Sequence, residues 1–378
     1  MNEREARLAL SCVVEPATPA VTEAIEDFGA EAVWASLISG GDSPLCRRAR
    51  SFRAEPVQAV AETSGIRFVV PGDPEWPPRM ADLGGCEPVN AMTGPPVGLW
   101  VRGAGDLGAL ATRSISVVGS RACSPYGETV ATDLAADLGD AGQCVVSGGA
   151  FGIDAAAHRG CLASRTPTVV VLPGGLDQAS PPAHRPLFER AAEHGVLVSE
   201  LPPGQHPTRS RFLSRNRLIA ALSVGTVLVE AAVRSGARNT VTWANCLRRV
   251  VMAVPGPVTS AMAYTPHRLI RESEAVLVTQ ASEVLELVGS LGGGRNRPAS
   301  PHRPTDELRP DELRVFEAVP ARGARSASEL SLASGVGLAA CLAILDELVD
   351  RGFLIQDDQW DWRLPPRSPA TSRTPSQS

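Results

Sequence analysis

Two kinds of segment in this chain carry residues able to do chemistry: one arginine-rich stretch and a set of glycine-bearing turns. Between Glu200 and Glu230 there is no acidic residue, yet Arg209, Arg211, Arg215 and Arg217 fall within nine positions, with Phe212 among them. An apolar stripe of Leu218, Ile219 and Leu222 follows at once. The pattern predicts Arg215–Arg217 at or near a helix N-terminus, where the macrodipole favours anions and offers arginine nothing. So placed, the cluster suits a bound phosphate. An exposed Phe between arginines joins a stacking surface to phosphate partners, which is what single-stranded nucleic acid requires. A solvated basic loop with Phe212 in the core is the other reading.

The turns follow apolar runs. Gly119-Ser120-Arg121 comes after 114–118 and before Ser124-Pro125, a cap followed by a first-turn proline. Glycine there lets the backbone approach a ligand, and arginine adds a bidentate fork for phosphate; a tight turn with a surface arginine is the alternative. Gly148, Gly149, Ala150 and Gly152 precede Asp154 and His158. Such a turn forms a nest of N–H groups for an anion. Asp154 is expected as the helix N-cap, and His158 either lines the site or packs. Pro173-Gly174-Gly175-Leu176-Asp177 repeats the arrangement.

The elements that must position these residues alternate. Short apolar runs at 114–120, 144–149, 168–175, 196–200, 225–231 and 250–256 are separated by helical stretches. Runs of consecutive apolar residues fit strands covered on both faces, hence an α/β fold with a parallel sheet. The polar turns then gather at its carboxyl edge, where such folds bind ligands. Residues 1–65 read as short helices, 66–112 as a Pro- and Trp-containing connector and 289–309 as a linker. Residues 310–365 read as helix–turn–helix plus hairpin, a winged helix, with a Ser326/Glu329 capping box. A disordered tail is expected at 366–378.

Composition removes other classes. The chain has 378 residues, a net charge of −5 and 36 basic residues, every one an arginine. Without lysine there is no Walker A lysine, Schiff base or Ser–Lys dyad. Gly119 lacks the second and third glycines of a dinucleotide fingerprint. The eight cysteines show no zinc spacing, and Cys144 and Cys246 read as buried free thiols. Neither a signal peptide nor a membrane span is evident, so a cytoplasmic protein with no membrane partner is expected.

GSR at 119–121, SGGAFGIDAAAH, PGGLD, SELPPG, FLSRNRLIAALS, VEAAVRSGARNT and AVPGPV occur in an order that resembles the DNA-processing protein A family. The likeness covers about 66–288 closely. It implies a Rossmann-like core between a helical N-terminal domain and a small winged-helix C-terminal domain. It also implies single-stranded DNA binding, a homodimer, and help in loading the RecA recombinase during natural transformation, with no catalysis, metal or cofactor. Matched position by position, the DNA-contacting residues are Gly119, Ser120, Arg121, Gly148, Gly149, Ala150, Gly152, Arg209, Phe212, Arg215, Asn216 and Arg217. Phe151 stands where many members carry a basic residue. The alternative is a nucleotide phosphoribohydrolase-like enzyme on the same scaffold, although Leu176-Asp177-Gln178-Ala179 lacks that family's Gly-Thr and glutamate pair. A duplex-reading winged helix is opposed by charge, since Asp306 to Arg363 holds 12 acidic residues against 6 arginines.

Overall fold

All six apolar runs form strands, and three further strands join them. The computed structural model describes residues 1–289 and 304–366. Four helices open the chain: Glu3–Val13 (α1), Pro19–Ser39 (α2), Pro44–Ser51 (α3) and Ala54–Thr63 (α4). Strands Ile66–Val69 (β1) and Leu99–Arg102 (β2) come next, then helix Leu107–Thr112 (α5). The alternation begins with Ser114–Val118 (β3), Pro125–Asp140 (α6), Cys144–Gly148 (β4), Ile153–Ala163 (α7) and Thr168–Val171 (β5). It continues with Arg185–His194 (α8), Val196–Ser199 (β6), Arg209–Leu222 (α9), Gly225–Leu228 (β7) and Ala237–Cys246 (α10). Val250–Ala253 (β8), Tyr264–Arg271 (α11), Val276–Leu277 (β9) and Ala281–Val288 (α12) complete it.

The sheet order is β1-β2-β6-β5-β4-β3-β7-β8-β9. From β6 to β9 every pairing is parallel, with registers such as Val146↔Val169 and Ile115↔Gly225. β2 joins β6 antiparallel, and β1 joins β2 likewise. The connector therefore carries two strands of the sheet. Arg67 breaks the apolar pattern of β1 and Arg102 closes that of β2, and both stand among Pro and Gly, so neither reads as one of the alternating runs. Phe68 on Trp100, ring centroids 4.7 Å apart, anchors the pair.

Strand residues point alternately into two cores. Val118, Val146 and Val169 meet α5, α9 and α10 on one face, while Ile115, Val117 and Val145 meet α6, α7 and α12 on the other. Burial of both faces explains why β3 to β8 are mainly apolar and carry no charge, their Ser and Thr residues being buried as well. The helical N-terminal residues pack on this core: Arg7 Nη1 donates to Val97 O at 3.0 Å, and Arg4 pairs with Asp73 at 2.8 Å.

The chain divides into two compact units, Met1–Arg295 and Asn296–Ser378. In the second, helices Pro310–Ala318 (α13), Ala327–Ser334 (α14) and Leu338–Asp350 (α15) precede an antiparallel hairpin, Ile355–Gln356 (β10) and Trp362–Arg363 (β11). The Ser326/Glu329 capping box is formed, and Val315, Leu330, Leu345, Leu348 and Trp362 make a separate core. Most of the expected linker and nearly all of the expected tail lie outside the described residues. No single helix among the described residues is long and apolar enough to cross a membrane.

Candidate nucleic-acid interface

Chain order in the sheet reverses between β3 and β7, and at their carboxyl ends lies a cleft of about 800 Å³. A reversal of this kind splays the following loops apart and leaves a crevice for ligands. The turn after β3 (Gly119–Ala122), Ala150 and Asp154 after β4, and the 232–237 turn after β7 form three sides. The fourth is α9, with Arg209, Phe212, Leu213, Arg215 and Asn216.

α9 begins earlier than the apolar stripe implies. Thr208 is its cap, accepting from Arg211 N at 3.3 Å, so Arg209 and Arg211 occupy the first turn and Arg215–Arg217 the middle. The helix extends through the basic residues because leucine and arginine are comparably good helix formers. Its four arginines then diverge. Arg209 is exposed at the cleft rim. Arg211 turns to the N-terminal helices, where it makes two bonds to Glu15 at 2.7 and 3.0 Å.

Arg215 forms the floor. It is buried, donates from Nη1 to Val171 O at 3.0 Å, and has no partner on Nε. Burial pushes its guanidinium down to about 10, opposed by Asp154. Arg217 faces away from the cleft, fully buried and paired with Glu200 at 2.7 Å. It was expected beside bound phosphate; its place in the helix turns it into the core instead.

The glycine turn after β4 fits this floor sterically. A Cβ on Gly148 would lie 1.7 Å from Arg215 Nη1 and 2.4 Å from Asp154 Oδ2. Gly152 has φ +76°, and a Cβ there would meet Ser120 O at 2.2 Å, so the turns after β3 and β4 interlock. Gly149 packs on Leu172 and Phe188, and a Cβ on Gly119 would strike Ile153. Ser120 is buried in its turn, where its hydroxyl accepts from Ala122 N at 3.2 Å.

Asp154 is not the N-cap: Gly152 holds that place and Asp154 sits within the first turn. Its Oδ2 accepts from Ala150 N at 3.4 Å, filling part of the expected anion nest with a protein carboxylate. Burial raises its carboxyl, against the pull of Arg215. His158 packs: Nε2 donates to Gly148 O at 2.9 Å and Nδ1 lies 2.8 Å from Thr168 Oγ1. The Pro173–Asp177 turn does not line the cleft. It braces the loop leading to α9, with Gly175 N to Gln205 O at 2.8 Å and Gly204 N to Asp177 Oδ1 at 2.9 Å.

At the rim the Arg121 guanidinium lies over the half-buried Phe212 ring, 4.4 Å from its centroid. Asn216 Nδ2 donates to Gly236 O at 3.4 Å and Asn239 Oδ1 at 3.2 Å, tying α9 to the turn after β7. That turn brings Arg234 and Ser235 to the cleft, and α10 brings Thr240, residues that the sequence argument did not single out. Their signal was present in VRSG after β7, an arginine beside Ser-Gly at a strand end, as in Gly119-Ser120-Arg121. Among the described residues, no group of His, Cys, Asp and Glu is arranged to hold a metal. All eight cysteines are free, Cys144 buried and Cys246 only partly so.

Residues 67–289 match the family described as DNA recombination-mediator protein A. The putative DNA processing protein DprA of Mycobacterium tuberculosis H37Rv is 44% identical over 301 residues, 78% of this chain and 77% of that protein. The structure of DNA processing protein A from Streptococcus pneumoniae superposes with a TM-score of 0.61 and 29% identity, covering 76% of this chain and 98% of that one. A DNA processing protein A structure from Helicobacter pylori, described for its single-stranded DNA binding mode, shares the fold at a TM-score of 0.50 and 23% identity, covering 59% and 96%. With its central sheet and more than half its length matched, the chain belongs to the DNA recombination-mediator protein A family.

Proposed function

We propose that this chain binds single-stranded DNA in the cleft and acts as a recombination mediator. It would hold incoming strands and help load a RecA recombinase in the cytoplasm during natural transformation, working as a homodimer and not as an enzyme. The carrying observation is the rim: exposed Arg121, Arg209 and Arg234 make no ion pair among the described residues, and they line the same cleft as Phe212, with Arg121 over its ring. Unpaired guanidinium groups attract phosphates, and the Arg121–Phe212 stack offers a platform for a base. Arg215, its Nε unpartnered, keeps the floor positive.

Gly119, Ser120, Gly148, Gly149, Ala150 and Gly152 shape the floor, Asn216 fixes one wall, and Arg217 supports the helix from within. Among the described residues Asp154 is the only carboxylate lining the cleft, and it is buried beside Arg215. The pair of carboxylates an N-glycosidase would use is not among the lining residues, which favours binding over hydrolysis. The C-terminal unit, read as a winged helix, is acidic and is assigned no DNA contact.

The test is fluorescence anisotropy of a labelled oligonucleotide, single-stranded and duplex, across a salt series. Wild type should prefer the single strand, with a log–log salt slope of about −0.7 per phosphate contact. Arg121→Ala, which removes only exposed side chain, should weaken binding and flatten the slope; Arg121→Ala/Arg215→Ala should weaken it further. Wild type that ignores single strands at moderate salt would overturn the reading.

A further inference from the structure

A second basic surface lies outside the cleft. Residues 43–53 contain Arg47, Arg48, Arg50 and Arg53 and no acidic residue. Three of these arginines have local partners near α3. Arg47 donates to Asp42 O at 2.6 Å, Arg50 to Gly40 O at 3.0 Å and Arg53 to Phe52 O at 2.7 Å. Asp42 is the one carboxylate paired with the group, to Arg47 at 3.1 Å and Arg50 at 3.6 Å. Arg48 is exposed, and while its carbonyl accepts from Ser51 Oγ at 3.0 Å, its guanidinium makes no hydrogen bond or ion pair among the described residues.

The fold brings this surface towards α9. Ala49, beside Arg48, is buried in one cluster with Leu10 and Val13 of α1. α1 ends at Val13, and two residues later Glu15 grips Arg211 in the first turn of α9. Arg209, at the cleft rim, is two residues from Arg211. Glu15 lies within electrostatic reach of Arg48: its carboxyl sits below the ordinary range, mainly through the Arg211 hydrogen bond and further through the charges of Arg211 and Arg48.

Asp42 holds Arg47, and helix capping explains Arg50 and Arg53, because cations satisfy carbonyls and the dipole at a helix C-terminus. It does not explain Arg48. We infer that the N-terminal helical domain provides a second phosphate-binding surface, centred on Arg48 and flanked by Arg47 and Arg53, which takes up single strand running out of the cleft past Arg209. Its ligand is the sugar–phosphate backbone, contacted without base reading. The inference rests on the cleft reading above and assigns a task to residues 1–65.

The experiment uses the full chain and two labelled oligothymidylates, one of about 6 nucleotides to fill the cleft alone and one of about 30 to run past it. Arg48→Ala removes no bond within the protein, so the fold is retained. With the long strand, the magnitude of the salt slope should fall by about 0.7 and affinity by about fivefold at roughly 0.1 M salt, the loss of one phosphate contact. With the short strand, Arg48→Ala should match wild type. Arg48→Glu should deepen the long-strand defect and again spare the short one.

If Arg48→Ala and Arg48→Glu bind both lengths as wild type does, while Arg121→Ala weakens both, the second surface is refuted and the cleft stands. Equal loss on both lengths would also refute it, since Arg48 would then act on the cleft itself. If wild type binds neither length, the cleft reading fails and takes this inference with it.

Discussion

The rim arginines of the cleft and three arginines of the C-terminal unit, Arg309, Arg314 and Arg351, are held in opposite ways. Arg121, Arg209 and Arg234 ring the cleft without an ion pair among the described residues. In the C-terminal unit Arg309 bridges Glu312 and Glu347, Arg351 reaches Glu312 at 3.2 Å, and Arg314 pairs with Asp311. Exposed pairs of that kind add little stability, but they cancel the charge an approaching phosphate would sense. A chain with a net charge of −5 can therefore present a positive cleft, because pairing, more than the count of arginines, decides which charges face outward.

The largest effect should come from closing the space that the cleft arginine occupies. Gly148→Ala places a methyl group where Arg215 and Asp154 now sit, so both must move. Overpacking at a buried site costs about 1–3 kcal/mol, and displacement of Arg215 should reduce single-strand affinity more than about tenfold. Anisotropy beside thermal melting would show both losses. Unchanged binding would mean that the floor does not need Arg215 in place.

Acid should separate the two units. Burial pushes His158 down to about 4, whereas an unfolded histidine titrates near 6.5. The core's stability is thus undiminished by this group above about pH 6.5 and falls by at most about 3 kcal/mol as pH drops towards 4. Glu312 has the opposite sign: hydrogen bonds from Arg309 hold it at about 2. Its stabilising contribution is present above an unfolded value of about 4.3 and disappears only as pH passes through about 2. Thermal melts followed down the pH scale should show the core weakening first and His158→Gln flattening that trend. Simultaneous loss of both units would remove the distinction.

The smallest effect is expected from deleting 306–378. Affinity for a single strand should stay within about twofold of the full chain. A tenfold loss in the same assay would show that acidic, internally paired surface still contributes to binding.

Much of the core was legible because doubly covered strands leave a clear trace: 114–118, 144–148 and 225–228 hold only apolar residues, glycine and small hydroxyl residues, with no charge among them. β1 and β2 escaped notice because Ile66–Val69 is broken by Arg67, Leu99–Arg102 ends on Arg102, and both are embedded among prolines and glycines. Residue type and spacing identified the basic helix but not where each side chain points. Arg215 and Arg217 are two positions apart in sequence, which on a helix sends them to different sides, one to the cleft floor and one to Glu200. The role of Asp154 was hidden for a related reason. Its charge partner, Arg215, comes from α9, far along the chain, and no local pattern reports a contact of that range.

One helix faces the cleft through Arg209 and Arg215, the N-terminal helices through Arg211, and the core through Arg217; on the proposed reading the first of these faces is the one that holds DNA. α9 is thus a common lever, and its two outward-facing ends are thermodynamically linked. Any change in the Glu15–Arg211 contact that DNA produces must be matched by an equal effect of that contact on DNA affinity. A protein that grasps the N-terminal helices would accordingly adjust the grip on DNA without entering the cleft.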